Sequence, residues 1–174
     1  QQWVPALKAF REELRRDPDN LEAGMEYALA LSETGDTTLA IRRLEALTRR
    51  APGDARIWRA MGVAYARASR FEAAEKALRG SVRLDAKNAR AWRDLGVVLA
   101  AHQRNDEARA AYRRALAVQP RDETALINLA NLESGAGYHT VALALYHDAE
   151  SLDSTRAQAY RGQIRELVLL KREA

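Results

Sequence analysis

The stretch that decides the fold runs from Trp92 to Pro120 and reads WRDLGVVLAAHQRNDEARAAYRRALAVQP. Its recurring positions are Trp92, Leu95, Gly96, Leu99, Ala108, Tyr112 and Pro120. Ala, Leu, Arg and Glu dominate the chain, and only 9 Gly and 4 Pro interrupt its 174 residues. Because the dominant residues are strong helix formers, we expect an all-α protein.

The same frame returns along the chain at a constant repeat period, the step from Ala6 to Ala40. A column that is always alanine comprises Ala6, Ala40, Ala74, Ala108 and Ala142. A column that is always large and apolar comprises Phe10, Leu44, Leu78, Tyr112 and Tyr146. A column that is always small comprises Ala28, Gly62, Gly96 and Ala130. Recurrence in register over several units predicts a repeat protein.

Each column has a physical reason. Small residues let the two antiparallel helices of a hairpin approach closely, and large apolar residues fill the space between neighbouring hairpins. Proline lacks a backbone N–H and can end one helix, and it stands at the junctions as Pro18, Pro52 and Pro120. Side chains that can cap a following helix stand near the same junctions: Asp17, Asp54, Asn88 and Asp122.

This frame of Trp, Leu-Gly, Tyr, Ala, Phe and Pro resembles the tetratricopeptide repeat family. Full repeats are expected at residues 21–54, 55–88, 89–122 and 123–156. Residues 1–20 match only the second helix of a repeat, and residues 157–174 match a capping or partial-repeat helix. The resemblance implies one domain over residues 1–174, an all-α, right-handed α-solenoid superhelix of stacked antiparallel helix hairpins.

Some positions depart from the pattern. Gly24 takes the place of the Trp, Glu133 replaces a large apolar residue, and Ala86 and Ser154 replace the proline. We expect Leu132 to fill the space that Glu133 vacates. These departures weaken local packing predictions and leave the frame intact.

The two ends of the chain carry packing residues. Trp3, Ala6 and Phe10 occupy packing columns although no first helix precedes them, so we expect the chain to belong to a longer array or a larger protein. The apolar run at residues 167–170 fits the same expectation, or a capping helix folded onto the last repeat.

The composition excludes several classes of protein and site. Without cysteine there are no disulfides, thiolate metal sites or cysteine nucleophiles. No apolar run approaches the roughly 20 residues of a membrane-spanning helix, and the first residues do not form a signal peptide. The compartment stays open, with a cytoplasmic location favoured over a periplasmic one. Only four of the 28 basic residues are lysine, a usage associated with GC-rich bacterial genomes.

We find no pattern typical of an active site, a metal site or a cofactor site, so the chain is expected to be non-catalytic. His102, His139 and His147 lack partners at metal spacing and are interpreted as solvated or turn residues. Trp58 and Trp92 share one packing column, which favours a place in the core.

In the resembling family, the first helix of each hairpin lines a concave groove. This implies that the groove binds a peptide or folded domain of another protein. The residues expected to line it are Met25, Leu29, Arg56, Arg59, Val63, Arg90, Arg93, Val97, Ile127, Asn128, Asn131, Arg161 and Arg165.

Charge is uneven along the repeats. Residues 55–88 carry a net +5 and residues 89–122 a net +3, whereas residues 21–54 carry −2 and residues 123–156 carry −4. The arginines that recur on one helix face in the basic middle are Arg56, Arg59, Arg90 and Arg93. Because guanidinium groups bind carboxylates bidentately, a partner with acidic and apolar side chains is expected. The alternative is that these arginines are simply solvated.

Several functional hypotheses stay open. The first is a protein–protein interaction scaffold or adaptor. The alternative is a regulatory or targeting module of a larger enzyme or of an envelope, secretion or motility assembly. Self-association through the end helices is a further possibility, whereas the acidic flanks argue against nucleic-acid binding. Because Asn128 and Asn131 stand without matching Lys and Asn residues, a receptor for a chaperone's terminal carboxylate is not expected.

Overall fold

The structure is a computed structural model that describes residues 3–152 and 157–173. Ten α-helices and no strands occupy these residues. The chain divides into two compact units, residues 1–86 and 87–174. The predicted all-α class is confirmed, with antiparallel helix hairpins packed on one another in each unit.

The first unit contains five helices. They are α1 (Trp3–Arg16), α2 (Leu21–Glu33), α3 (Thr37–Arg50), α4 (Ala55–Arg67) and α5 (Phe71–Leu84). Helices α2 and α3 form one hairpin and α4 and α5 the next, while α1 packs against α2. Their core joins Leu44 and Ile57 to Met61, with Phe10 packed against its edge. Burial of these apolar faces, which no single hairpin achieves alone, holds the unit together.

The second unit also contains five helices. They are α6 (Ala89–Ala101), α7 (Asn105–Val118), α8 (Glu123–Gly135), α9 (His139–Leu152) and α10 (Ala157–Glu173). Helices α6 and α7 form a hairpin, as do α8 and α9, and α10 packs on α9 and α8. Leu126, Ala142 and Tyr146 are buried together between these last three helices.

Side-chain caps begin the first helices of the hairpins. Asp54, Asn88 and Asp122 accept hydrogen bonds from backbone N–H groups at 2.9, 3.1 and 3.0 Å, which confirms three predicted caps. The prediction for Asp17 is wrong, because Asn20 caps α2 through the N–H of Ala23 at 3.0 Å. Asn20 stands one repeat period before Asp54, so the caps also follow the period.

The turns inside the hairpins share one backbone conformation. A residue with positive φ follows each first helix, namely Gly35, Ser69, Gln103 and Gly137. In each turn the next N–H closes back onto the helix, as in the 3.0 Å hydrogen bond from Arg104 N to Leu99 O. Because an L side chain is strained at positive φ, Ser69 and Gln103 cost conformational free energy that the two glycines do not.

The small column works as the sequence predicts. A Cβ on Gly62 would lie 2.5 Å from Leu78, and a Cβ on Gly96 would lie 2.5 Å from Tyr112. These distances are too short for any side chain, so glycine permits the hairpin contact. The same burial raises the pKa of Tyr112 to about 12.

Glu133 behaves differently from its prediction. Its carboxylate is buried rather than displaced, and it accepts a 2.9 Å hydrogen bond from Arg109 Nε of α7. Arg113 lies 3.5 Å from the same oxygen. Leu132 is half-buried beside it and does not take over its place. The predictions for Ser154 and for the Trp3 side chain lie outside the described residues.

Candidate partner-binding surfaces

In the first unit, the predicted groove residues divide between core and surface. Met25 is 9% exposed and belongs to the core, and Leu29 packs against that core. On α4, Arg59 and Val63 are half-buried and Arg56 is exposed. Helices α2 and α4 pack together, so these residues lie on neighbouring first helices.

Arg56 holds the cap of its own helix. Its Nε and Nη2 atoms donate to the two carboxylate oxygens of Asp54 at 3.1 and 2.8 Å. This side-chain hydrogen bond from Arg56, opposed by partial desolvation, lowers the pKa of Asp54. Arg56 therefore already has a bidentate carboxylate partner within the chain.

In the second unit, Arg93 has a comparable role. Its Nη1 atom donates to Asp122 Oδ2 at 2.9 Å, and the Asp122 side chain is almost fully buried. Arg93 thereby joins α6 to the cap of α8. Arg90 and Val97 lie on the same helix, and both are exposed.

Helix α8 contributes three predicted residues in different environments. Ile127 is 3% exposed and lies in the core, where no partner reaches its side chain. Asn128 is half-buried and Asn131 is exposed. Asn131 Oδ1 accepts a 2.6 Å hydrogen bond from the hydroxyl of Tyr146 on α9.

Helix α10 is held to α8 and α9 by a carboxylate that the sequence analysis missed. Glu166 is fully buried and accepts hydrogen bonds from Ser134 Oγ at 2.7 Å and from Arg165 Nε at 2.9 Å. His139 Nδ1 lies 2.7 Å from its other oxygen. The interpretation of His139 as a solvated residue is therefore wrong. Arg161 lies one helical turn before Arg165 on α10, and it is exposed.

The pKa of Glu166 reflects these contacts. Burial opposes the charged form, but hydrogen bonds from Ser134, His139 and Arg165 outweigh it and lower the pKa. Arg165 also donates to Tyr146 Oη at 2.9 Å. The columns gave no signal for this cluster, because Glu166 does not stand one repeat period after Ser134.

A family comparison matches most of the chain. The model described as Tetratricopeptide repeat matches residues 28–89, 59–123 and 93–159 in overlapping pairs of repeats. The chain belongs to the tetratricopeptide repeat family. No curated protein matches the sequence.

Solved structures of the family share the fold. A thermophilic tetratricopeptide repeat protein of Thermus thermophilus superposes with a TM-score of 0.85 at 22% identity, covering 95% of this chain and 91% of that one. MamA superposes with a TM-score of 0.73 at 22% identity, covering 90% and 91%. YrrB superposes with a TM-score of 0.72 at 16% identity, covering 95% and 85%.

No group of three His, Asp or Glu side chains among the described residues is placed to hold a metal ion. None of the described helices is both long and apolar enough to cross a membrane.

Proposed function

We propose that this chain is a non-catalytic interaction module that binds a segment of another protein on the first-helix face of its second unit. The tetratricopeptide fold is a general protein-interaction module, and the solved structure of YrrB is described as one with an unusual peptide-binding site. The segment recognised here carries both a carboxylate and an apolar side chain.

The observation that carries the proposal is the pairing of Arg90 with Val97 on α6. Their separation along the helix is about two helical turns, so both side chains lie on one face. Val97 is 46% exposed, so its methyl groups are open to an apolar side chain of a partner. Asn128 and Asn131 lie on α8, which packs against α6, and offer amide groups to a peptide backbone.

Two other arginines of the predicted groove are already bonded to aspartates within the chain. Arg56 and Arg93 neutralise the cap residues Asp54 and Asp122, so their forks are engaged before any partner arrives. Charge reversal of either would disturb a helix cap as well as a binding surface. Arg90 is therefore the arginine of the predicted set with which recognition is best tested.

The test uses random dodecapeptides displayed on phage and selected against the intact chain. Selected peptides are synthesised and their affinities measured by calorimetry for the parent chain, Arg90→Glu and Val97→Glu. We expect enrichment of Asp or Glu together with Leu, Ile or Phe, and at least a tenfold loss of affinity in each variant. Arg114→Glu is the matched control, because Arg114 is an exposed arginine on the second helix of the same hairpin.

The outcome against the proposal is equally clear. Peptides that bind Arg90→Glu and Val97→Glu as tightly as the parent chain, with circular dichroism unchanged, would remove this face from consideration. In the alternative proposal, the chain serves as a module of a larger enzyme or of an envelope, secretion or motility assembly. In that case we expect it to bind its target through the same surface of α6 and α8.

Self-association is a second candidate because of the outer face of α10. Tyr160, Ile164, Leu167 and Val168 are 46–55% exposed and recur at helical spacing. We expect sedimentation velocity to detect a concentration-dependent dimer that Ile164→Glu abolishes. A monomer at all concentrations would contradict this candidate without touching the peptide site.

A further inference from the structure

A cleft in the first unit lies between the two second helices α3 and α5. Its volume is about 600 Å³, within the range of about 300–1,000 Å³ typical of ligand pockets. Trp58 and Met61 of α4 line it, together with Pro52 and the small residues Ala73 and Ala77. The cleft lies in the first unit, whereas the proposed function uses residues of α6 and α8 in the second unit.

The corresponding region one repeat earlier holds a smaller cleft. It lies between α1 and α3, and its volume is about 130 Å³. Arg43 lines it and places its guanidinium 4.7 Å from the centre of the Tyr27 ring. One repeat period after Arg43 stands Ala77, and one period after Leu39 stands Ala73. At these two positions the larger cleft therefore has alanine where the preceding repeat has a longer side chain.

The wall of the open cleft is held in place before any ligand binds. The Trp58 indole Nε1–H donates to the carbonyl oxygen of Pro52 at 2.8 Å. On its other side the ring packs against Gly80, where a Cβ would come within 2.9 Å of it. A rigid aromatic wall loses little conformational entropy on binding. Trp, Tyr and Met are also residues enriched at protein interfaces.

The rim of the cleft is basic. Arg49 and Lys76 line it and are exposed, one on α3 and one on α5. The third charged residue, Glu45, accepts a 3.0 Å hydrogen bond from Tyr65 Oη. Burial, together with this hydrogen bond to Glu45, raises the pKa of Tyr65, so the phenol stays protonated and keeps donating. Glu45 keeps its negative charge, so the charged residues of the lining sum to +1, and a carboxylate is attracted to the side of the rim that carries Arg49 and Lys76.

We propose that this cleft is a second peptide-binding site, which takes one bulky apolar side chain from a partner segment in which acidic residues flank that side chain. The apolar wall of Trp58 and Met61 receives the side chain. Arg49 and Lys76 receive the flanking carboxylates. A partner with basic flanks would meet like charges at the rim and is rejected.

The test titrates two acetylated, amidated pentapeptides into the intact, isotope-labelled chain by NMR. Both have a central Phe, flanked by Glu in one and by Lys in the other. We expect the glutamate peptide to shift the Trp58 indole N–H signal and amides of α3 and α5, and to bind at least tenfold more tightly than the lysine peptide. Arg49→Glu combined with Lys76→Glu is expected to reverse that preference.

Two variants close the cleft by copying the preceding repeat. Ala77→Arg and Ala73→Leu each restore the residue found one repeat period earlier, and each is expected to abolish the shifts. If Ala77→Arg lowers the melting temperature, Ala73→Leu still tests the cleft at a half-buried position. Arg90→Glu is the control that leaves this binding unchanged, so failure here and failure of the first-helix face are distinguishable.

Four results of the titrations, and a fifth from the oligomeric state, would overturn the inference. The four are the absence of shifts around Trp58, equal affinity for both peptides, binding that survives Ala73→Leu, and tighter binding of decanoate than of the glutamate peptide. The last would assign the cleft to an acyl chain. A dimer that Ala73→Leu dissociates would assign it to a second copy of this chain and would contradict the inference as well.

Discussion

One position of the repeat holds an apolar residue in helix α2 of the first unit and a charged residue in helix α8 of the second. Leu31 of α2 is buried in an apolar core, whereas Glu133 of α8 is equally buried and paired with Arg109. Tyr65 and Leu99 stand at the same position in the repeats between them. The difference shows that this position accepts a buried charged side chain, provided that a neighbouring helix supplies the opposite charge.

The largest predicted effect removes the partner of that buried carboxylate. Arg109→Ala removes the 2.9 Å partner of Glu133 and leaves Arg113, at 3.5 Å, as its cation among the described residues, so we expect a loss of about 3 kcal/mol in the free energy of unfolding. Glu133→Leu, which copies Leu99, is expected to cost less than half as much, since it removes the buried charge itself. Urea unfolding followed by circular dichroism measures both. Equal losses would show that position 133 is governed by packing alone.

The caps extend the comparison to a second pair of equivalent positions. Asn88→Ala removes a capping side chain and is expected to cost about 1 kcal/mol. Asp122→Ala is expected to cost about 2 kcal/mol, because Asp122 also pairs with Arg93 across α6 and α8. Parallel denaturant titrations give the two values, and a cost for Asp122→Ala no larger than that for Asn88→Ala would contradict a role for Arg93.

Glu166 makes the end of the second unit sensitive to acid. Its pKa is lowered in the folded chain, so its stabilising contribution is complete above the ordinary value of 4.5 and is lost as pH falls below it. We expect Glu166→Gln to flatten the fall in free energy of unfolding between pH 5 and pH 3 (about the range in which a lowered carboxyl titrates). An unchanged pH profile would mean that other carboxylates account for acid unfolding.

The smallest predicted effect concerns the hairpin turns. Gln103→Gly relieves a residue held at positive φ, and after the added flexibility of the unfolded chain we expect a gain of about 0.5 kcal/mol. Gly137→Ala at the equivalent turn is the control and is expected to destabilise. A destabilising Gln103→Gly would indicate that the Gln103 side chain contributes contacts that outweigh the strain.

The repeat period made the fold predictable because it reports packing directly. Ala40 and Leu44, which belong to recurring columns, are fully buried, and Gly62 and Gly96 are required by close contacts. Glu133 and Glu166 could not be predicted in the same way. Their burial depends on Arg109 and Arg165, and nothing in a column of residue types indicates which arginine reaches which carboxylate.

The candidate site was less predictable than the fold for the same reason. The family frame identifies the first helices, yet Met25 and Ile127 turn into the core while Val97 stays exposed. Arg56 and Arg93 resemble Arg90 in sequence, but each is bonded to a cap aspartate. The cleft beside Trp58 is lined in part by Ala73 and Ala77, and two small residues in the sequence do not by themselves indicate a pocket.

The most direct test of the proposed binding face compares the methyl groups of Val97 and Val63, which stand one repeat period apart on equivalent first helices. A peptide selected against the chain is titrated while both methyl signals are recorded by NMR. We expect the methyl signals of Val97, the more exposed of the two valines, to shift strongly and to show intermolecular contacts to the peptide. Arg90→Glu is expected to abolish both effects. Unperturbed Val97 methyls at saturating peptide would contradict the proposed binding face.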